Sequence, residues 1–183
     1  MKIFKSLYFL TLFFLFSNCG NKKSSHDSVN LIGDNHPTVQ STSSIDLEVY
    51  TFDEFSKFLN KKDDRVYVVN FWATWCAPCV KELPYFEKIK KEYEGENVEV
   101  LLVSLDFPHL YETKLKPFIV SKKLKSKVVA LDDPDMNGWI PKVDSTWTGS
   151  IPATMIYKNN ARKFFEQSFT YDELNTELKQ FLK

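Results

Sequence analysis

Two cysteines three residues apart stand where an apolar run meets the start of a helix, in Phe71-Trp72-Ala73-Thr74-Trp75-Cys76-Ala77-Pro78-Cys79. This juncture limits the possible folds more than any other stretch of the chain. Val66-Tyr67-Val68-Val69-Asn70-Phe71-Trp72 reads as a buried strand, because it is short, almost wholly apolar and rich in β-branched and aromatic residues. Pro84 lies far enough along that the segment from Cys76 can start helical before it meets a kink. Cys76 therefore falls at a helix N-terminus, where unpaired backbone N–H groups and the macrodipole stabilise a thiolate. A CxxC thiol in that position can have its pKa lowered from about 8.5 to roughly 3.5–7.5, which makes it a nucleophile at neutral pH. Cys79, about one turn on, points to the same side and can resolve a mixed disulfide. The layout is that of a dithiol redox site.

Around this juncture helix and strand signals alternate, which favours an α/β layered fold. Thr51-Phe52-Asp53-Glu54 is a capping box that opens a short helix with Phe52, Phe55 and Leu59 inward. The strand 66–72 and a long helix 76–93 follow, then a second continuous apolar strand at 98–105 and a helix at 111–123 despite Pro117. Residues 128–131 read as one more short strand, and 132–149, with Pro134, Gly138 and Pro141, as irregular. Residues 154–157 and 164–169 read as an antiparallel hairpin turned by Asn159-Asn160, and Thr170-Tyr171-Asp172-Glu173 caps a final helix.

Three separated motifs, Asn70-Phe71-Trp72-Ala73-Thr74-Trp75-Cys76-Ala77-Pro78-Cys79, then Glu82 with Pro84, then Gly149-Ser150-Ile151-Pro152-Ala153-Thr154, occur in the order seen in the thioredoxin superfamily. From about Ile45 onward the chain resembles the membrane-anchored TlpA and ResA branch of its thiol-disulfide oxidoreductases. The resemblance implies a thioredoxin fold, a mixed central sheet flanked by helices, with an insertion before a cis-proline loop at Pro152. It also implies that Cys76 is the nucleophile and Cys79 the resolving thiol, and that the Ile151 backbone lies against a substrate strand opposite Cys76. Asn70 stands where ordinary thioredoxins carry a buried Asp, and the Ala77-Pro78 dipeptide departs from the common Gly-Pro, Pro-Pro and Glu-Pro versions.

Glu82 and Trp75 are ambiguous from spacing. On a helix Glu82 shares a face with Cys79, where a carboxylate could act as general base with its own pKa raised, but a solvated Glu beside Lys81 fits equally well. The CxxCxxExP pattern of the ResA-like branch favours the first reading. Trp75 fits an apolar lip beside the thiol, or simple core packing. Asn70 cannot titrate, so it cannot handle a proton.

The N-terminus places this chemistry. Lys2 and Lys5 precede an apolar run and Cys19 follows at once, so residues 1–18 read as a secretory signal too short for a comfortable membrane span. Phe16-Ser17-Asn18-Cys19 resembles a loose lipobox, which implies that Cys19 carries lipid and anchors the protein to a bacterial membrane, facing the periplasm. Residues 19–44, rich in Asn, Ser, Lys, Asp and Thr, read as a polar tether spanning roughly 25–30 Å by random-coil scaling. Residues 45–183 then form one domain. Of the 3 Cys, only Cys76 and Cys79 remain once Cys19 is lipidated, so no structural disulfide is left.

The formal net charge is +0 without a long charge run, which gives no ground for a nucleic-acid partner. The expected partners are disulfide-bearing protein substrates, a membrane electron donor of the thiol-disulfide type, and the membrane itself through the lipid anchor. No cofactor or metal is expected, since His109 is the only histidine outside the linker and zinc takes four soft or imidazole ligands. Two other functions compete: a thiol peroxidase of the redoxin type, which would want a Thr three residues before the reactive Cys where Thr74 lies two before, and a copper-binding module.

Overall fold

A computed structural model of the chain describes residues 45–182. The expected signal segment, Cys19 and the expected tether lie outside them. The described residues form one six-stranded mixed sheet, ordered β1-β4-β3-β2-β5-β6, with helices on both faces. In chain order the elements are β1 (Glu48–Tyr50), α1 (Phe52–Phe55), β2 (Val66–Trp72), α2 (Ala77–Glu92), β3 (Val98–Ser104), α3 (Lys116–Lys122), β4 (Lys127–Leu131), α4 (Met136–Val143), β5 (Ala153–Lys158), β6 (Ala161–Phe165) and α5 (Tyr171–Lys179). This is the thioredoxin fold, with α4 in the insertion ahead of the Pro152 loop.

β2 is the spine, and all seven of its residues are buried. Because successive side chains point to opposite faces, it feeds two cores. Val66, Val68 and Trp72 pack with Leu83, Phe86 and Ile89 of α2, Ile119 of α3, and Leu174 and Leu178 of α5. Tyr67, Val69 and Phe71 pack on the other face with Phe52 and Phe55 of α1, and Trp139 and Val143 of α4. A strand covered on both sides has no need of polar alternation, which is why its sequence is a continuous apolar run.

β2 pairs in parallel with β3 and antiparallel with β5, where Asn70 faces Thr154 and Phe71 faces Ala153. β5 thus begins beside the end of β2. The residues just before it, Ile151 and Pro152, are carried level with the turn that leads into α2. The Ile151–Pro152 peptide bond is cis.

Four details differ from the sequence reading. Residues 132–149 are not wholly irregular, because α4 forms there in spite of Gly138 and Pro141. Asp135 caps it by accepting from the Gly138 amide at 3.1 Å, and a Cβ at Gly138 would run into that carboxylate. Burial of Trp139 and Val143 outweighs the local helix breakers. β1, only three residues long, adds an edge strand through pairing with β4. The hairpin partner of β5 is residues 161–165, because Asn159 takes the left-handed conformation (φ 55°) and closes a two-residue turn directly into Ala161. The stretch 111–123 starts with a π-type segment, Tyr111–Leu115, before regular α-helix at Lys116.

Candidate active site

Cys76 is the N-cap of α2, and Pro78 occupies the first turn, where its missing N–H costs nothing. The Cys76 and Cys79 sulfurs are bonded, with Cα atoms 5.3 Å apart. Cys76 Sγ also accepts from the Cys79 amide at 3.3 Å, so a backbone N–H of the first turn is already aimed at the sulfur that would carry negative charge after reduction. The two cysteines differ in burial. Cys76 keeps 6% exposure while Cys79 is fully buried.

The Ile151 carbonyl oxygen lies 3.7 Å from Cys76 Sγ, which puts the cis-proline loop against the disulfide. Glu166 holds that loop from the end of β6: its carboxylate accepts from the Ser150 amide at 2.8 Å and the Thr148 amide at 3.1 Å. On the other side Trp75 is 56% exposed and stacks on Phe107, with centroids 6.3 Å apart. Between these loops runs a mainly apolar groove of about 480 Å³, bordered by Trp75, Phe107, Met136, Trp139 and Ile151.

Glu82 is buried, at 1% exposure, not a solvated surface residue. One carboxylate oxygen accepts from Asn70 Nδ2 at 3.1 Å and the other from the Phe169 amide at 2.7 Å. Burial raises its pKa from 4.5 to about 7, against the opposing pull of the Phe169 and Asn70 hydrogen bonds. Asn70 Nδ2 also donates to Thr154 Oγ1 at 3.1 Å, while its Oδ1 has no hydrogen-bond partner among the described residues. β2, β5, α2 and the segment before α5 therefore meet in one small polar network inside the core.

The sequence reading missed Asp106. It is buried at the end of β3 and accepts from the Thr74 amide at 3.0 Å, from the Thr74 hydroxyl, and from Ser104 Oγ at 2.9 Å. Glu166 was missed as well. Neither belongs to a motif of fixed spacing, and nothing in the chain pairs them with positions so far off.

A thioredoxin-type sheet that delivers a CxxC pair onto a helix N-cap beside a cis-proline loop defines a dithiol redox domain. Residues 32–160 match the AhpC/TSA family, and the chain belongs to that family. Over 125 residues it is 30% identical to the thiol-disulfide oxidoreductase ResA of Oceanobacillus iheyensis, covering 67% of this chain and 60% of the relative. It is 36% identical to thioredoxin of Coprinus comatus over 58 residues, 32% of this chain and 53% of that one. The chain spans 60% or less of the length of these curated relatives. Among solved structures, a thioredoxin-family thiol:disulfide interchange protein from Chlorobium tepidum TLS superimposes with a TM-score of 0.56 at 20% identity, over 70% of this chain and 85% of that one. A thioredoxin-related protein from Neisseria meningitidis serogroup B gives 0.56 at 22% identity, over 66% and 86%. Among the described residues no helix is long and apolar enough to cross a membrane.

Proposed function

We propose that this protein is an extracytoplasmic thiol-disulfide oxidoreductase that works as a reductase of protein disulfides through Cys76 and Cys79. The observation that carries the reading is the unequal pair of cysteines: one the helix N-cap and slightly exposed, the other fully buried behind it. The Cys76 thiolate attacks one sulfur of a substrate disulfide, breaking that bond and releasing a substrate thiolate. The Cys79 thiolate then attacks Cys76 Sγ, frees the second substrate thiol and leaves the Cys76–Cys79 disulfide, so two electrons pass to the substrate. A membrane donor of the thiol-disulfide type returns them. Ile151 and Pro152 hold the substrate backbone beside Cys76, Trp75 covers its flank, and Glu82 takes the proton from Cys79.

The similarity to the ResA protein of Oceanobacillus iheyensis supports the same reading. A peroxidase has weaker support, because Thr74 precedes Cys76 by two residues and commits its hydroxyl to Asp106. Equilibration of the purified protein with glutathione tests the direction of electron flow. A reduction potential near −270 mV, as in thioredoxin, supports a reductase, whereas one near about −120 mV would make it an oxidant.

Residues 1–18 act as a lipoprotein-type signal, 19–44 as the tether and 45–183 as the redox domain, facing the periplasm from a lipid anchor on Cys19. Cys19→Ala is expected to release the protein from the membrane fraction or stall its processing. Wild-type protein whose mass shows no lipid would end the anchoring proposal.

A further inference from the structure

Three of the five large apolar side chains that stand exposed among the described residues, Trp75, Phe107 and Met136, border the same groove beside Cys76. Exposed apolar surface gathered at one place marks a contact site. The two rings sit on separate loops: Trp75 on the turn from β2 into α2, Phe107 on the segment after β3. Rings on two independent loops would not hold a fixed stacking distance unless something tied the loops together.

Asp106 supplies the tie. It immediately precedes Phe107, and its carboxylate takes both polar hydrogens of Thr74, the residue immediately before Trp75. Ser104 Oγ donates to the same carboxylate at 2.9 Å and accepts from the Asp106 amide at 3.1 Å, so the clip is fixed to the end of β3 as well. Asp106 is 2% exposed, and bonds from neutral donors to a buried carboxylate are stronger than those between neutral partners. His109 also stacks on Phe107, with centroids 5.9 Å apart.

We infer that Asp106, acting through Thr74, is a positioning residue that joins Trp75 and Phe107 into one aromatic rim, and that the rim selects polypeptide disulfides whose attacked cysteine is flanked by an aromatic or large aliphatic side chain. This rests on the oxidoreductase reading. The occupant follows from continuity: Ile151 and Trp75, which adjoin Cys76, also border the groove, so the groove begins next to the point where a disulfide-bearing chain would be attacked. Such a chain would bring a neighbouring side chain under the rings, where apolar contact supplies binding. Asp106 makes no hydrogen bond to either sulfur, and where it lines the groove its carboxylate is already taken up by Thr74 and Ser104. Its effect must therefore appear in substrate affinity more than in the chemical step.

Two disulfide-bonded peptides, identical except for Phe or Ser beside the attacked cysteine, together with oxidised glutathione as a small disulfide, test this on the full-length protein. Wild type is expected to prefer the Phe peptide through a lower KM. Asp106→Asn confronts one Thr74 donor with an amide donor, and Thr74→Ala removes the hydroxyl. Each is expected to raise KM for the Phe peptide about tenfold, with kcat within about twofold, and to erase most of the Phe-over-Ser preference. Thr74→Ser, which keeps the hydroxyl, should restore wild-type selectivity, and this pair decides the matter should Asp106→Asn fail to fold.

An unchanged preference in the variants, an equal fall in kcat for all three disulfides, or Thr74→Ser behaving like Thr74→Ala would overturn the inference. A wild type that reduces all three disulfides without favouring Phe would overturn the rim alone. If wild type reduced none of them, the oxidoreductase reading would fall and this one with it.

Discussion

Cys79→Ser will arrest the protein as a covalent adduct, with substrate joined to Cys76, while Cys76→Ser will form no adduct at all. The difference follows from burial: Cys76 is the cysteine that keeps some exposure, and Cys79 is fully buried behind it. Without Cys79 the mixed disulfide lacks its internal attacker and persists, because release then depends on a thiol from outside. Without Cys76 the remaining thiol cannot reach a protein disulfide, and turnover should fall by roughly three orders of magnitude or more, the scale on which loss of a nucleophile acts. Non-reducing gels and the mass of the adduct distinguish the two variants. Equal residual activity in both would contradict an ordered pair.

Glu82→Gln is expected to change the pH dependence of thiol chemistry and of stability in different ways. If the Glu82 carboxylate takes the Cys79 proton, the variant keeps the shape and loses the base, and release of a mixed disulfide from Cys76 by Cys79 should slow by on the order of 100-fold where proton transfer limits the rate. Superimposable rate–pH profiles for wild type and variant would remove Glu82 from the mechanism.

Stability moves the other way. The folded pKa of about 7 lies above the ordinary 4.5, so between these values the folded protein holds the proton more tightly than the unfolded chain. The contribution is therefore fully present below about pH 4.5 and is lost as pH rises through 7, a fall on the order of 3 kcal/mol for a shift of this size. Gln does not titrate. Wild type should thus lose melting temperature relative to Glu82→Gln between pH 5 and pH 8, and parallel curves would show that the carboxyl is not desolvated as described.

The parts of the fold that were legible are those whose signals are local. β2 could be read because burial on both faces removes alternation, and the start of α2 because the segment from Cys76 runs a turn and more before Pro84 can kink it. The capping boxes at Thr51 and Thr170 likewise announce α1 and α5 within four residues. α4 was hidden because Gly138 and Pro141 argue against a helix, and only the burial of Trp139 and Val143 against the far face of the sheet overrides them. β1 was hidden because three residues carry no period.

The site divides in the same way. Cys76, Cys79 and Glu82 share one helix, so their proximity follows from helical geometry alone. Asp106 meets Thr74 from 32 residues away and Glu166 meets the Ser150 amide from 16 away, and such pairings arise only when β3 and β6 take their places in the sheet. The burial of Glu82 was undecided for a related reason: it depends on Phe169, which no spacing rule ties to α2.

That last contact makes the far end of the chain a stopper. Phe169 stands just before the Thr170 cap of α5, and it joins Leu174 and Leu178 in the same core as Cys79 and Leu83. The segment that leads into α5 therefore covers one side of the Glu82 carboxyl. The burial that lets this acid hold a proton at neutral pH is thus completed in part by a residue 87 positions downstream.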